Sequence, residues 1–289
     1  MNTTPTPNED WLFVITPKNS FFSFPFKEVW QYRDLLFLFV KRDIVTVYKQ
    51  TVLGPLWYLI QPLFTAITFT IIFNSVAGIK TGAVPPFLFN MAGITVWNYF
   101  TACLTGTSDT FRANASIFGK VYFPRIITPL SIVISNLLKL GIQFGIFFVF
   151  YAFYFFQGAA VGLHWSVVML PILILFMGIL GLGLGMLISS LVTKYRDFTH
   201  LIGFGVQLLM YLSAVMYPLA LIEEKLPQYG WLVHYNPLAY IIETSRYMLL
   251  NVGSLSVKGL LFTFVVTVFV FFAGLLVFNR TEKSFIDTV

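Results

Sequence analysis

The chain has 289 residues, of which 57% are hydrophobic, 18% aromatic and only 10% charged. Soluble domains carry roughly a quarter charged residues, so a water-soluble enzyme or binding domain is excluded, and the length suits one membrane domain of about six spans. The net charge of +6 is not a nucleic-acid signature, because Lys and Arg flank apolar stretches, and no nucleic-acid partner is expected.

In chain order, residues 1–24 are rich in Pro, Thr and Asn and predict a flexible tail. They lack the apolar core and small-residue cleavage site of a signal peptide. Residues 25–50 mix apolar Val29, Trp30, Leu36 and Val40 at near-helical spacing with Lys27, Glu28, Arg33, Asp34, Lys41 and Arg42. That pattern predicts an amphipathic helix lying in the membrane interface on the cytosolic side.

Residues 51–289 predict a six-helix transmembrane domain. The spans are expected at Pro55–Val76, Phe87–Thr107, Ile126–Phe156, Val167–Ser190, Leu201–Leu219 and Leu260–Phe278. The third is too long for a perpendicular crossing at about 1.5 Å per residue and should tilt or extend. Gly178, Gly181, Gly183 and Gly185 in the fourth predict close backbone packing. Between the fifth and sixth lies a long, partly apolar segment broken by Pro227 and Pro237. Asn236 as N-cap and Pro237 at the first helical position predict a short helix there. Its Glu243 and Arg246, three apart, pair on one face. Short outer-face helices are the reading, against an ordinary loop.

With the N-terminus inside, the cytosolic segments hold Lys18, Lys27, Arg33, Lys41, Arg42, Lys49, Arg112, Lys120, Arg125, Lys194, Arg196, Arg280 and Lys283. The outer segments hold Lys80, Lys225, Arg246 and Lys258. This asymmetry predicts both termini in the cytosol.

No catalytic constellation is legible. His164, His200 and His234 fall on separate loops and imply no metal cluster. Gly119-Lys120 looks like part of a phosphate loop, but Asn114 stands where a Gly is needed and Val121 where a Ser or Thr is needed. The chain is thus expected to bind no nucleotide and to be no enzyme. No Asp or Glu occurs in the cores of the expected spans, which disfavours a proton or sodium relay. Lys139 has two readings: it attracts an anionic substrate in a translocation path, or it snorkels or bonds a neighbouring helix, and the second weighs more.

Work can enter through the loop Ser108–Arg125. Asp109 and Thr110 start a short helix, Phe111, Tyr122 and Phe123 offer apolar contacts, and Arg112, Lys120 and Arg125 offer charge. Such a surface suits docking on a soluble partner, and a plain membrane-surface loop is the alternative. For a substrate, spans one and five are the best suited. Trp57, Tyr58 and Gln61 in the first, and Gln207, Met210, Tyr211 and Tyr217 in the fifth, combine rings with polar groups, as stacking on sugar rings requires. Helix–helix packing is the competing reading for each. Gln61 and Gln207 are costly against lipid and are expected at a dimer seam or channel.

Four segments, in order, carry a family likeness. Asn114-Ala115-Ser116-Ile117-Phe118-Gly119-Lys120-Val121-Tyr122-Phe123-Pro124-Arg125, followed by Pro129, resembles the loop between spans two and three of type-2 ABC exporter permeases. The likeness is to the branch exporting O-antigen and teichoic-acid polysaccharides. The run from Tyr48 to Trp57 with Gln61-Pro62 resembles that family's lead into span one. Lys194-Tyr195-Arg196-Asp197 with Tyr217-Pro218 resembles its span-five region, and Asn236-Pro237-Leu238 with Glu243 and Arg246 its outer short helices.

The resemblance implies a homodimeric permease of a bacterial inner membrane, bound to two copies of a separate cytosolic ATPase that holds ATP and Mg. It implies ATPase coupling through Asp109, Phe111, Arg112, Asn114, Lys120, Tyr122, Phe123 and Arg125, with Arg196 and Asp197 nearby. From the residue types, a substrate path is expected near Trp57, Tyr58, Gln61, Lys139, Gln207, Met210, Tyr211 and Tyr217. An outer gate would comprise Glu223, Trp231, Asn236, Pro237, Glu243 and Arg246. The expected cargo is a lipid-linked polysaccharide, such as a lipopolysaccharide O-antigen. A type-2 exporter of a drug or small lipid, and a channel or scaffold needing no ATPase, are the rivals.

Overall fold

The computed structural model describes residues 26–49, 53–195, 197–225 and 227–286, and among them every regular element is helical. The tail expected over 1–24 and the Arg196 side chain lie outside the described residues.

The N-terminal segment forms two helices, α1 (Phe26–Gln31) and α2 (Arg33–Lys49). The apolar side of α2 buries Phe39 and Val40, and the helix lies along α7 (Ile127–Phe156). A first long helix, α3, covers Trp57–Val76. Pro62 inside it removes one backbone donor, and its last turns, Thr70–Val76, widen to π geometry, with Ala77 N–H donating to Ile72 O at 2.9 Å. Then come α4 (Pro86–Ser108), opened by a proline in its first turn, and two single-turn helices, α5 (Thr110–Ala113) and α6 (Ala115–Phe118). The 30 residues of α7 span about 45 Å at 1.5 Å each, longer than the roughly 30 Å hydrocarbon layer.

Among the described residues, five helical segments are long and apolar enough to cross a membrane: Trp57–Val76, Pro86–Ser108, Ile127–Phe156, Trp165–Lys194 and Val257–Glu282. They make a multi-pass membrane protein. The core sits where α8 (Leu170–Lys194) runs between α4 and α13 (Val257–Ile286). The four glycines expected to pack closely do so. A methyl group on Gly178 would lie 2.6 Å from the Tyr99 hydroxyl, on Gly181 2.9 Å from Cys103 Cβ, and on Gly185 2.5 Å from Thr107 Cβ, all on α4. On the other side of α8, a methyl on Gly183 would lie 2.9 Å from Phe271 Cα of α13. Without a hydrophobic drive between helices in lipid, close packing of this kind is one source of cohesion.

The expected fifth span differs. Instead of one helix over Leu201–Leu219, α9 covers Phe198–Leu212, 15 residues, or about 22 Å. It ends in an irregular turn at Ser213–Met216, where Ala214 takes a left-handed conformation with φ 53°. The segment that follows contains α10 (Ala220–Lys225), α11 (Gly230–His234) and α12 (Pro237–Leu250). Of these, α12 inserts between α4, α8 and α13 and buries most of its residues.

Candidate functional site

The break after α9 leaves backbone carbonyls without helical partners, at a place where the surrounding structure excludes water. Such groups must be satisfied from within the protein. Arg246 on α12 does this. Its side chain is fully buried, and Nη1 donates to Ala214 O at 2.8 Å and Tyr217 O at 3.3 Å, while Nη2 donates to Val215 O. The guanidinium also lies over the Phe89 ring, 3.9 Å from its centroid. Room for it comes from Gly93, where a methyl group would fall 2.5 Å from Nη2. The expected pairing with Glu243 is present at 3.6 Å. Arg246 stands on the short helix expected there, and its side chain is buried inside the bundle. This takes it out of the loop-charge count and leaves Lys80, Lys225 and Lys258, all exposed, as the charges counted for the expected outer segments.

Asn236 works on the same break. Its Oδ1 accepts from Leu238 N–H at 3.0 Å, the N-cap the sequence predicts, and its Nδ2 donates to Leu212 O at 3.1 Å and Ser213 Oγ at 3.0 Å. Pro237 follows in the first helical turn. Trp231 of α11 is exposed. The Glu223 side chain lies outside the described residues. Tyr217 is half-buried, and its hydroxyl donates to Tyr211 O.

A cavity of about 230 Å³ opens between α3, α4 and α7. It gathers four of the expected substrate residues, Trp57, Tyr58, Gln61 and Lys139. The Lys139 ammonium stands 5.2 Å from the Tyr58 ring centroid. It also gathers residues that sequence reasoning passed over: Asn98, Tyr99, Thr101, Asn136 and Gln143. The missed signal was available, since 136, 139 or 140, and 143 fall on one helical face. The carboxamides weighed from the sequence were those of spans one and five, and Asn136 and Gln143 lie in the third. The other half of the expected path is not brought there. Gln207 and Tyr211 on α9 are exposed and Met210 is half-buried, and none of them lines this cavity.

A second cavity, of about 670 Å³, lies between α2, the 109–117 segment, α7 and the start of α9. It shares Ala102, Asn136 and Lys139 with the first. At its mouth Arg42 holds Asp43 at 2.8 Å and donates to Asn114 Oδ1 at 3.3 Å.

The loop expected to meet an ATPase divides into two sets. Phe111, Asn114, Phe123 and Arg125 are buried. Phe111 stacks on Phe278 of α13 with centroids 4.7 Å apart, and Phe123 meets Phe39 of α2 edge-on at 5.5 Å. Arg125 donates to Glu282 O at 3.1 Å and covers the Phe118 ring at 5.1 Å. Burial pulls its pKa below the ordinary arginine value, and the Glu282 charge opposes that shift. Arg112, Lys120 and Tyr122 face outward, with Tyr122 74% exposed. Arg112 grips the half-buried Asp109 at 2.7 Å, a hydrogen bond and charge that raise its pKa. Asp197 is exposed at the start of α9. Among the described residues no group of three His, Cys, Asp or Glu side chains is placed to hold a metal ion.

Spans held by backbone contact, a polar cavity inside the bundle, and a structured loop at one membrane face are the build of a membrane transport domain. The chain belongs to the ABC-2 type transporter family, whose model matches residues 34–250. It is therefore a transporter component and not itself a catalytic enzyme. It is 30% identical over 256 residues to an O-antigen export system permease protein, RfbA, of Klebsiella pneumoniae, covering 88% of this chain and 94% of that one. To a protein of the same description from Myxococcus xanthus it is 23% identical over 265 residues, covering 91% and 98%.

Proposed function

We propose that the chain is the permease of an ABC exporter that moves a lipid-linked O-antigen-like polysaccharide across a bacterial inner membrane. The observation that carries this reading is the end-to-end similarity to O-antigen export permeases, in which nearly the whole of each chain aligns. In this reading two copies assemble with two copies of a cytosolic ATPase, which binds ATP and Mg. Both termini are cytosolic. The sixth crossing is completed by α9 together with Ser213–Leu219, and the charge asymmetry of the loops supports that orientation.

Closure of the ATPase pair is received by the exposed side of the 109–125 loop, Arg112, Lys120 and Tyr122, together with Asp197. The buried side, Phe111, Phe123 and Arg125, passes the movement to α2 and α13, because it is packed on both. The copies meet along the α3 and α9 flank, which carries Gln61, Gln207, Met210 and Tyr211. The α10–α12 segment acts as the outer gate.

The test is reconstitution of both subunits in vesicles with lipid-linked polysaccharide. Export should require ATP and the partner. Replacing Arg112, Lys120 and Tyr122 together by Ala should abolish copurification of the ATPase while the purified permease keeps its melting temperature. ATP-independent export would overturn the reading, and ATPase binding that survives the triple variant would overturn the docking assignment.

A further inference from the structure

The cavity between α3, α4 and α7 specifies a ligand chemistry. Its lining contains one full charge, the Lys139 ammonium, and no carboxylate. Asp43, which shares a small neighbouring cavity with Lys139, is held by Arg42 at 2.8 Å. Within the lining itself no acid matches the cation, although Asp43 lies near enough for its charge to act on Lys139 from outside it. Two buried carboxamides, Asn136 at 4% exposure and Gln143 at 7%, line the same space. Their acceptors, Asn136 Oδ1 and Gln143 Oε1, have no hydrogen-bond partner, and neither does Thr101 Oγ1. A buried acceptor out of water calls for a donor. Trp57, Tyr58 and Tyr99 supply ring surface, suited to the apolar C–H face of a small ring.

These demands differ and must be met together. A free inorganic anion answers the ammonium but offers too few donors to the carboxamides. A neutral sugar answers the carboxamides and the rings but leaves the ammonium unmatched. An apolar drug answers only the rings. We propose that this cavity is a binding site, one in each copy, for a single sugar residue that carries a negative charge, either a uronate or a sugar phosphate. Its roughly 230 Å³ falls below the range of about 300–1,000 Å³ usual for drug-sized ligands, so it admits one residue and not a length of chain. The second cavity shares Lys139 and Asn136 with it and is lined by Arg42 and Asn114 and by Asp43 and Asp109, each of these carboxylates paired with an arginine, which gives a charged group a polar way in. The proposal rests on the export reading for the identity of the larger molecule, though not for the chemistry of the cavity.

Full-length protein in lipid nanodiscs, titrated calorimetrically with glucose 1-phosphate, glucuronate, glucose and inorganic phosphate, tests it. Glucose 1-phosphate or glucuronate should saturate at one per chain and bind at least about tenfold more tightly than glucose, the factor expected of one charge-assisted hydrogen bond. Which of the two binds better identifies the source of the charge. Lys139→Gln should erase the preference for the anionic sugar, Lys139→Arg should restore it, and Gln143→Leu should weaken both kinds of sugar. Equal binding of glucose, no saturable binding of either anionic sugar, inorganic phosphate binding as tightly as the sugar phosphate, or a preference that survives Lys139→Gln would each overturn the site. Vesicle export measured on the same preparations separates the two claims. Export without anionic-sugar binding sinks only the site, whereas anionic-sugar binding without any ATP-driven export sinks only the export reading.

Discussion

Helices α4 and α9 are both apolar and belong to one bundle, yet most of α4 is buried and no residue of α9 is. The difference lies in the residues their neighbours present. Against α4, the glycines of α8 bring the backbones together, and α12 covers another side with its buried Arg246. Against α9 there is no such surface, and its own Gly203 and Gly205 face open space. In lipid an apolar helix loses nothing by standing at the edge, so burial there reports shape complementarity and not hydrophobicity. Polar groups on the uncovered flank, Gln61 and Gln207, then become the informative residues, since lipid cannot satisfy them.

The largest expected effect is at the joint between the two regions. Arg246→Leu removes the donor to the carbonyls of Ala214, Val215 and Tyr217 and the positive charge that stands 3.6 Å from Glu243. Removing one partner of such a buried set costs about 3–5 kcal/mol. The variant should melt well below the parent in detergent or fail to accumulate, with Arg246→Lys intermediate. A melting temperature unchanged by Arg246→Leu would show that the end of α9 holds without α12.

A smaller effect separates the two glycine sets. Gly185→Val forces a side chain into a 2.5 Å contact with Thr107 Cβ and should cost about 1–3 kcal/mol. Gly203→Ala meets nothing within 4 Å and should be neutral or stabilising by up to about 1 kcal/mol, from helix propensity alone. Thermal unfolding of both variants decides it. If Gly203→Ala proves the more damaging, a partner helix lies against that face in the assembled protein.

The smallest effect on stability is expected at Gln207→Leu, within about 0.5 kcal/mol for an exposed site, and it is paired with a large effect on assembly. With the buried Cys103 replaced by Ser, Gln207→Cys should crosslink two copies under mild oxidation. No crosslink from any cysteine placed along 201–211 would remove α9 from the seam between copies.

Much of this architecture was readable from the residues. The positions of α4, α7, α8 and α13 follow from apolar runs of spanning length, because a bilayer of fixed thickness demands them. The α12 start follows from Asn236-Pro237, and the glycine contacts of α8 from their spacing. The pairing of Glu243 with Arg246 followed from their separation of three, and its burial did not. Charge next to apolar residues marks a short helix, but not how deeply it is buried until the carbonyls it satisfies are known.

Thus the order of elements and the class of protein were determined by local sequence, through hydropathy, helix caps and glycine spacing. Tertiary structure decided where α9 stops, which loop residues face outward, and which polar side chains share a cavity. Each of those depends on residues far apart in the chain. Arg246 sits 32 positions from Ala214, and Arg125 157 positions from Glu282. No local pattern encodes such partners, because the physical reason for them is the need to satisfy buried polar groups wherever packing has excluded water.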